Sequence, residues 1–138
     1  MKVLVINGPN LNMLGKRDKN NYGSLTLKDI IKLMKDNKGD LKLSFYQSNY
    51  EGAIVTKIQK SLRYDAIIIN PGAFTHTSVA IHDALEMFKG VIIEVHLSKV
   101  DEREDFRKIN FIRSLATKSY SGNKEFSYLD AINYLKNL

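Results

Sequence analysis

Val3-Leu4-Val5-Ile6, Ala66-Ile67-Ile68-Ile69 and Val91-Ile92-Ile93 are the three stretches whose reading decides the fold. Each is short, unbroken in its apolar character and rich in β-branched side chains. That is the pattern of a strand covered on both faces, as in a parallel sheet held between helical layers. Each stretch also leads into polar residues: Asn7-Gly8-Pro9-Asn10 after the first, Asn70-Pro71-Gly72-Ala73-Phe74-Thr75-His76-Thr77 after the second, and Glu94-Val95-His96-Leu97-Ser98 after the third. Ligands of open α/β sheets sit beyond the carboxyl ends of the strands. The three stretches therefore predict one crevice furnished with amides, imidazoles and hydroxyls.

The segments between them supply the helices. Thr26 stands three residues before Asp29 as a capping signal, and Leu27, Ile30, Ile31 and Met34 follow at helical spacing, which predicts a helix over 26–37 that stops near Gly39. Leu41, Leu43 and Phe45 alternate with polar residues, as in an edge strand with one covered face. From Glu51, the stripe Ile54, Val55, Ile58 and Leu62 predicts a second helix. Ala80, Ile81, Ala84, Leu85 and Phe88 predict a third, capped by Thr77 or Ser78. The charged stretch from Asp101 to Arg107 is expected to continue through Ile109, Ile112 and Leu115 as a helix. Lys118 to Ser121 is a weak strand, and Tyr128, Leu129, Ile132 and Leu135 close the chain as a helix. Strand and helix thus alternate about five times, which implies right-handed crossovers. The expected fold is α/β: a three-layer, flavodoxin-like five-stranded parallel sheet of order 2-1-3-4-5 with helices on both faces, one domain over residues 1–138.

Composition narrows the function classes. A chain of 138 residues with 43% hydrophobic and 26% charged content builds one core and no second domain. It has no cysteine, so disulfides, thiolate zinc sites and thiol nucleophiles are excluded. No run approaches the roughly 18 apolar residues of a membrane span. Lys2 and the short first strand lack the long apolar region of a secretory signal. A cytoplasmic protein without membrane contact is expected. The net charge of +6 raises the question of nucleic acid, but lysines such as Lys28, Lys32, Lys57 and Lys136 fall at helix-surface spacings. Arg17, Arg103 and Arg107 lie in or beside the loops that follow strands, where they suit a small anionic substrate better.

The chemistry lies in those loops. The connection from Asn7 to Gly23 is long for a strand-to-helix link, as a lid over a crevice would be, and it carries Asn10, Asn12, Arg17 and Tyr22. It holds neither a dinucleotide fingerprint nor a phosphate-cradling Walker loop. A guanidinium close to a phenol favours the phenolate, so Arg17 beside Tyr22 would make a proton acceptor. A surface tyrosine beside a solvated arginine is the plain alternative. His96 ends the third strand with Glu94 on the same side of it, as a general acid held by a carboxylate or as a structural strand-end histidine. His76, with Thr75, Thr77 and Ser78, precedes a helix, as an anion site or as a hydroxyl-rich cap. His82 falls on the polar side of that helix and is expected to face solvent. Three histidines without H-x-H or H-E-x-x-H spacing give no metal-ligand set. Together these groups describe proton transfer next to a carbonyl on a small carboxylated molecule. A non-catalytic α/β domain binding a small anion and a basic nucleic-acid binder are the competing readings.

The wording of the loops goes further. GPNLNMLGKR, the following YG, TLKDI, NYEG, INPGAFTHTSVAIHDAL, EVHLS and REDFR resemble the type II 3-dehydroquinases, in that family's order through about residue 115. The resemblance implies a hydro-lyase: anti elimination of water from 3-dehydroquinate to 3-dehydroshikimate through an enolate, in the shikimate pathway, with no metal and no organic cofactor. It implies Tyr22 as the base, Arg17 as the lid arginine that assists it, and Asn10 as the amide holding a water against the enolate oxygen. His96 matches the general acid, and Glu94 the group that orients it. Asn70, His76, Leu97, Ser98 and Arg107 match substrate-binding positions. Asp83 matches a residue that reaches a neighbouring subunit's site, which implies trimers, and family members commonly assemble four trimers into a dodecamer. The chain departs from the family's usual wording at Lys19, where a lid proline is common, and at His82, Gly90 and Lys99.

Overall fold

The structure is a computed structural model that describes residues 1–138. Five strands, β1 (Lys2–Asn7), β2 (Lys42–Gln47), β3 (Ala66–Asn70), β4 (Val91–His96) and β5 (Lys118–Ser121), form one sheet in the order β2-β1-β3-β4-β5. Every neighbouring pair is parallel. The expected topology is therefore the observed one, and all five carboxyl ends lie along the same edge. Asn7 sits level with Gln47 on one side and Asn70 on the other, and His96 is level with Ser121.

The helices are α1 (Lys19–Tyr22), α2 (Leu27–Asn37), α3 (Glu51–Gln59), α4 (Val79–Glu86) and α5 (Glu125–Lys136). Alternating strand residues sort onto two cores. Val3, Val5, Ile68, Ile93 and Val95 face α2 and α5 through Ile30, Met34, Tyr128, Ile132 and Leu135. Leu4, Ile6, Ile67, Ile69 and Ile92 face α3 and α4 through Ile54, Ile58, Ile81 and Leu85. Because both faces of β1 and β3 are fully covered, each Val, Leu or Ile there contributes about 1.5–3 kcal/mol of burial. This two-sided core is what holds the strand ends still.

The local signals are realised at α2 and α4. Thr26 Oγ1 accepts from Asp29 N at 3.1 Å while Asp29 Oδ2 accepts from Thr26 N at 3.0 Å, a reciprocal capping box. Ser78 Oγ caps α4 by accepting from Ile81 N at 2.9 Å. Leu62 lies beyond the end of α3 and is largely exposed, so the apolar stripe overruns the helix by one turn.

One larger expectation fails. Residues 101–115 form no α-helix; the crossover from β4 to β5 is a chain of 3-10 turns at Val100–Glu102, Asp105–Lys108 and Arg113–Leu115. Its polar groups are engaged elsewhere. Phe111 N donates to Thr75 O at 3.0 Å, Ile109 O meets His76 Nδ1 at 2.6 Å, and Asn110 Oδ1 accepts from Ile112 N and Arg113 N. These bonds replace the helical ladder and draw the segment over the sheet edge.

Candidate active site

A crevice of about 120 Å³ opens beyond the carboxyl ends of β1, β3 and β4. Pro9, Asn10 and Leu11 line it from the first loop, Arg17 and Tyr22 from the lid, and Asn70, Gly72 and His76 from the second loop. His96, Leu97 and Ser98 close it from β4, and Arg103 and Arg107 from the long crossover. Of the residues that the family resemblance assigns to the site, Asp83 is the one placed away from it, exposed on α4, where His82 Nδ1 lies 3.0 Å from its carboxylate. His82 is three-quarters covered, its side chain 25% exposed, rather than turned to solvent. Glu94 lies just behind the lining.

The β4 side is built from buried charge. Glu94 is fully buried and takes four donors: His96 Nε2 at 2.7 Å, Asn110 Nδ2 at 2.6 Å, Arg113 Nε at 3.1 Å and Ser119 Oγ at 2.7 Å. Burial by itself raises the pKa of this carboxyl, but the hydrogen bond and charge of His96, with the bonds from Asn110 and Ser119, outweigh it and hold the value at about 2. Glu94 is therefore a carboxylate, and the His96 nitrogen facing it, Nε2, carries a proton. Nδ1 has no protein partner and is the nitrogen left for a ligand. Arg113 is in turn held by Asp101 at 2.8 Å.

His76 sits opposite in character. Desolvation pushes its pKa down against the hydrogen bond to Ile109, and repulsion from His96 and Arg107 adds to the lowering. A neutral ring that meets a carbonyl through Nδ1 must donate there, so Nε2 is an acceptor.

The lid side is organised around one phenol. Asp18 caps α1 by accepting from Asn20 N at 3.0 Å, and Leu11 and Leu14 anchor the loop in the core. Tyr22, on this single helical turn, has the Arg17 guanidinium 3.7 Å from its ring centre. The bond to its oxygen comes from elsewhere: Arg103 Nη1 donates to Tyr22 Oη at 2.7 Å and to Ser98 Oγ at 3.2 Å. In the sequence Arg103 is legible only as a loop arginine. Its separation of 81 residues from Tyr22 is invisible to spacing arguments. Arg107 is held at the rim by Glu104, 3.1 Å from its Nε. Asn10 adopts a left-handed backbone, φ 68°, and its N–H donates to Asn49 Oδ1 at 3.0 Å, which presents the residue at the mouth.

At the base, Gly8 lies so close to Pro71 that a Cβ there would overlap the Pro71 carbonyl. The glycine is what allows the first and second loops to meet, with Gly8 N donating to Asn70 O at 2.8 Å.

Comparison with known proteins shows the family. The 3-dehydroquinate dehydratase of Thermotoga petrophila is 47% identical over 138 residues, covering 99% of this chain and 95% of the relative. That of Caldicellulosiruptor bescii is also 47% identical, covering 99% of this chain and 97% of the relative. The solved type II dehydroquinase of Butyrivibrio crossotus superposes with a TM-score of 0.94 at 43% identity, covering 99% of this chain and 97% of that one. The type II dehydroquinase of Propionibacterium acnes superposes with a TM-score of 0.93 at 31% identity, covering 99% and 97%. The family model for dehydroquinase class II matches residues 1–136. With its sequence matched over residues 1–136 and its fold superposing on solved members, the chain belongs to the class II dehydroquinase family.

Proposed function

We propose that the crevice carries out the dehydration of 3-dehydroquinate to 3-dehydroshikimate, the hydro-lyase step of the shikimate pathway, with Tyr22 as base and His96 as acid. The observation that carries the division of labour is that the two groups have different surroundings: cations at the phenol and a carboxylate at the imidazole.

A proton on the carbon beside a ketone is a weak acid, so a base must be positioned and the developing oxyanion stabilised. The Tyr22 oxygen, which accepts from Arg103 while the Arg17 guanidinium lies against the ring, takes that proton as the bonding pair moves onto the carbonyl oxygen. Asn10, at the mouth, holds a water against the enolate. When the enolate collapses, the carbon–oxygen bond of the departing hydroxyl breaks. His96 supplies the proton that turns it into water, from the nitrogen that Glu94 leaves free. Glu94 orients the ring through its bond to Nε2.

Asn70 and the Nε2 of neutral His76 bind substrate hydroxyls, while the main chain near Leu97 and Ser98 receives the carboxylate with Arg107 at the rim. No step calls for a metal or an organic cofactor. Asp83 lies outside this chain's own crevice and completes that of a neighbouring subunit, in a trimer that assembles further into a dodecamer. No helix is long and apolar enough to cross a membrane, and a cytoplasmic location follows from the pathway.

The test is direct. The purified protein mixed with 3-dehydroquinate should produce the ultraviolet absorption of a conjugated enone. Folded protein that produces no such band would sink the proposal.

A further inference from the structure

Tyr128 is the one tyrosine with no exposed surface, and it comes from α5, on the far side of the sheet from the second loop. Its hydroxyl lies between two asparagines at neighbouring strand ends, Asn7 on β1 and Asn70 on β3, which share a register position. Asn70 Nδ2 donates to Tyr128 Oη at 2.9 Å, and Tyr128 Oη donates to Asn7 Oδ1 at 2.5 Å. Asn70 Oδ1 accepts from Gly72 N at 3.1 Å.

The direction of this chain is fixed from one end. A backbone N–H only donates, so the Asn70 atom facing Gly72 must be oxygen, and the atom facing Tyr128 must be the amide nitrogen. The tyrosine oxygen then accepts, and its single proton has only Asn7 to serve. Burial pushes the Tyr128 hydroxyl well above the ordinary tyrosine range, so it remains a hydroxyl. Asn70 lines the crevice, whereas Tyr128 and Asn7 do not. Without the hydroxyl the Asn70 amide would keep its bond from Gly72 N but lose the anchor on its nitrogen.

We propose that Tyr128 is a positioning residue: with the polarity of the Asn70 amide set by Gly72 N–H, the Tyr128 hydroxyl holds the amide nitrogen and so fixes the rotamer in which Asn70 meets the substrate. This rests on the reading above that Asn70 contacts 3-dehydroquinate. Tyr128 touches neither substrate nor reacting atoms; it acts through Asn70.

The experiment measures kcat and KM for 3-dehydroquinate in the parent, Tyr128→Phe, Asn70→Ala and the double variant, each checked for folding by its melting curve. Loss of one buried partner should lower kcat/KM of Tyr128→Phe about tenfold, chiefly through KM. The same substitution in the Asn70→Ala background should change nothing further. A folded Tyr128→Phe with the parent's kcat/KM, or one losing the same factor with and without Asn70, overturns the proposal. A purely structural tyrosine would lower the melting temperature and leave KM alone. If Tyr128→Phe does not fold, the pair Tyr128→Phe with Asn7→Leu removes the orphaned acceptor as well, and it must show the same rise in KM or the proposal fails. A parent without turnover overturns the dehydratase reading and this one with it; with an active parent, the variants test the role of Tyr128 alone.

Discussion

The two walls of the crevice are built on opposite principles. The β4 wall is sheet: Glu94 and His96 belong to a strand hydrogen-bonded on both sides, and the Glu94 carboxylate is held by four donors. The facing wall is loop: Tyr22 sits on one turn of helix, half-buried, and a single hydrogen bond reaches its oxygen. The proposed acid is thus held by the sheet, whereas the proposed base is carried by a loop. Redundancy on one side and its absence on the other should be visible in how each tolerates substitution.

The largest effect should come from the loop side. Tyr22→Phe removes the proposed proton acceptor and keeps the ring, so kcat should fall about 10³-fold, the scale of a lost general base, with KM little changed; steady-state kinetics on the folded variant checks this. Arg103→Met removes the one bond to the Tyr22 oxygen, and kcat should drop about 10- to 100-fold, as expected for a charge-assisted hydrogen bond. A loss no greater than that of an exposed arginine variant such as Arg63→Met would mean that the lid wall does not depend on the Arg103 bond.

The sheet wall has a pH signature. With its value in the folded state at about 2, below the ordinary 4.5, Glu94 binds fewer protons folded than unfolded between those values. Its contribution to stability is therefore complete above about pH 4.5 and is lost as pH falls towards 2. Melting temperatures of the parent should drop across that window, and Glu94→Gln should lack that component. Parallel curves for the two proteins would count against the charged cluster. The smallest effect should be at Thr26, far from both walls: Thr26→Ala should cost about 1 kcal/mol of stability by loss of the α2 cap and leave kcat/KM unaltered.

The same contrast explains what is readable from residues alone. The sheet order and both cores follow from unbroken β-branched runs such as Ala66 to Ile69, and α2 follows from the Thr26 and Asp29 pair, because these signals are local. The segment 101–115 reads as a helix because its apolar spacing is helical, while its backbone is claimed by Thr75, His76 and Asn110 side chains or carbonyls, two of them contributed from outside any local window. Arg17 is legible beside Tyr22 because it lies five positions away; Arg103, which reaches the phenol oxygen, lies 81 positions away. Tyr128 reads as one position in a helical stripe, and nothing local in its sequence announces partners 58 and 121 residues distant.

The division between a sheet-held acid and a loop-borne base is tested most directly by following two events in one variant. His96→Ala, incubated with 3-dehydroquinate in deuterated water, should still exchange the proton beside the ketone while eliminating water far more slowly, and Tyr22→Phe should do neither. Equal loss of exchange and elimination in His96→Ala, or continued exchange in Tyr22→Phe, would contradict it.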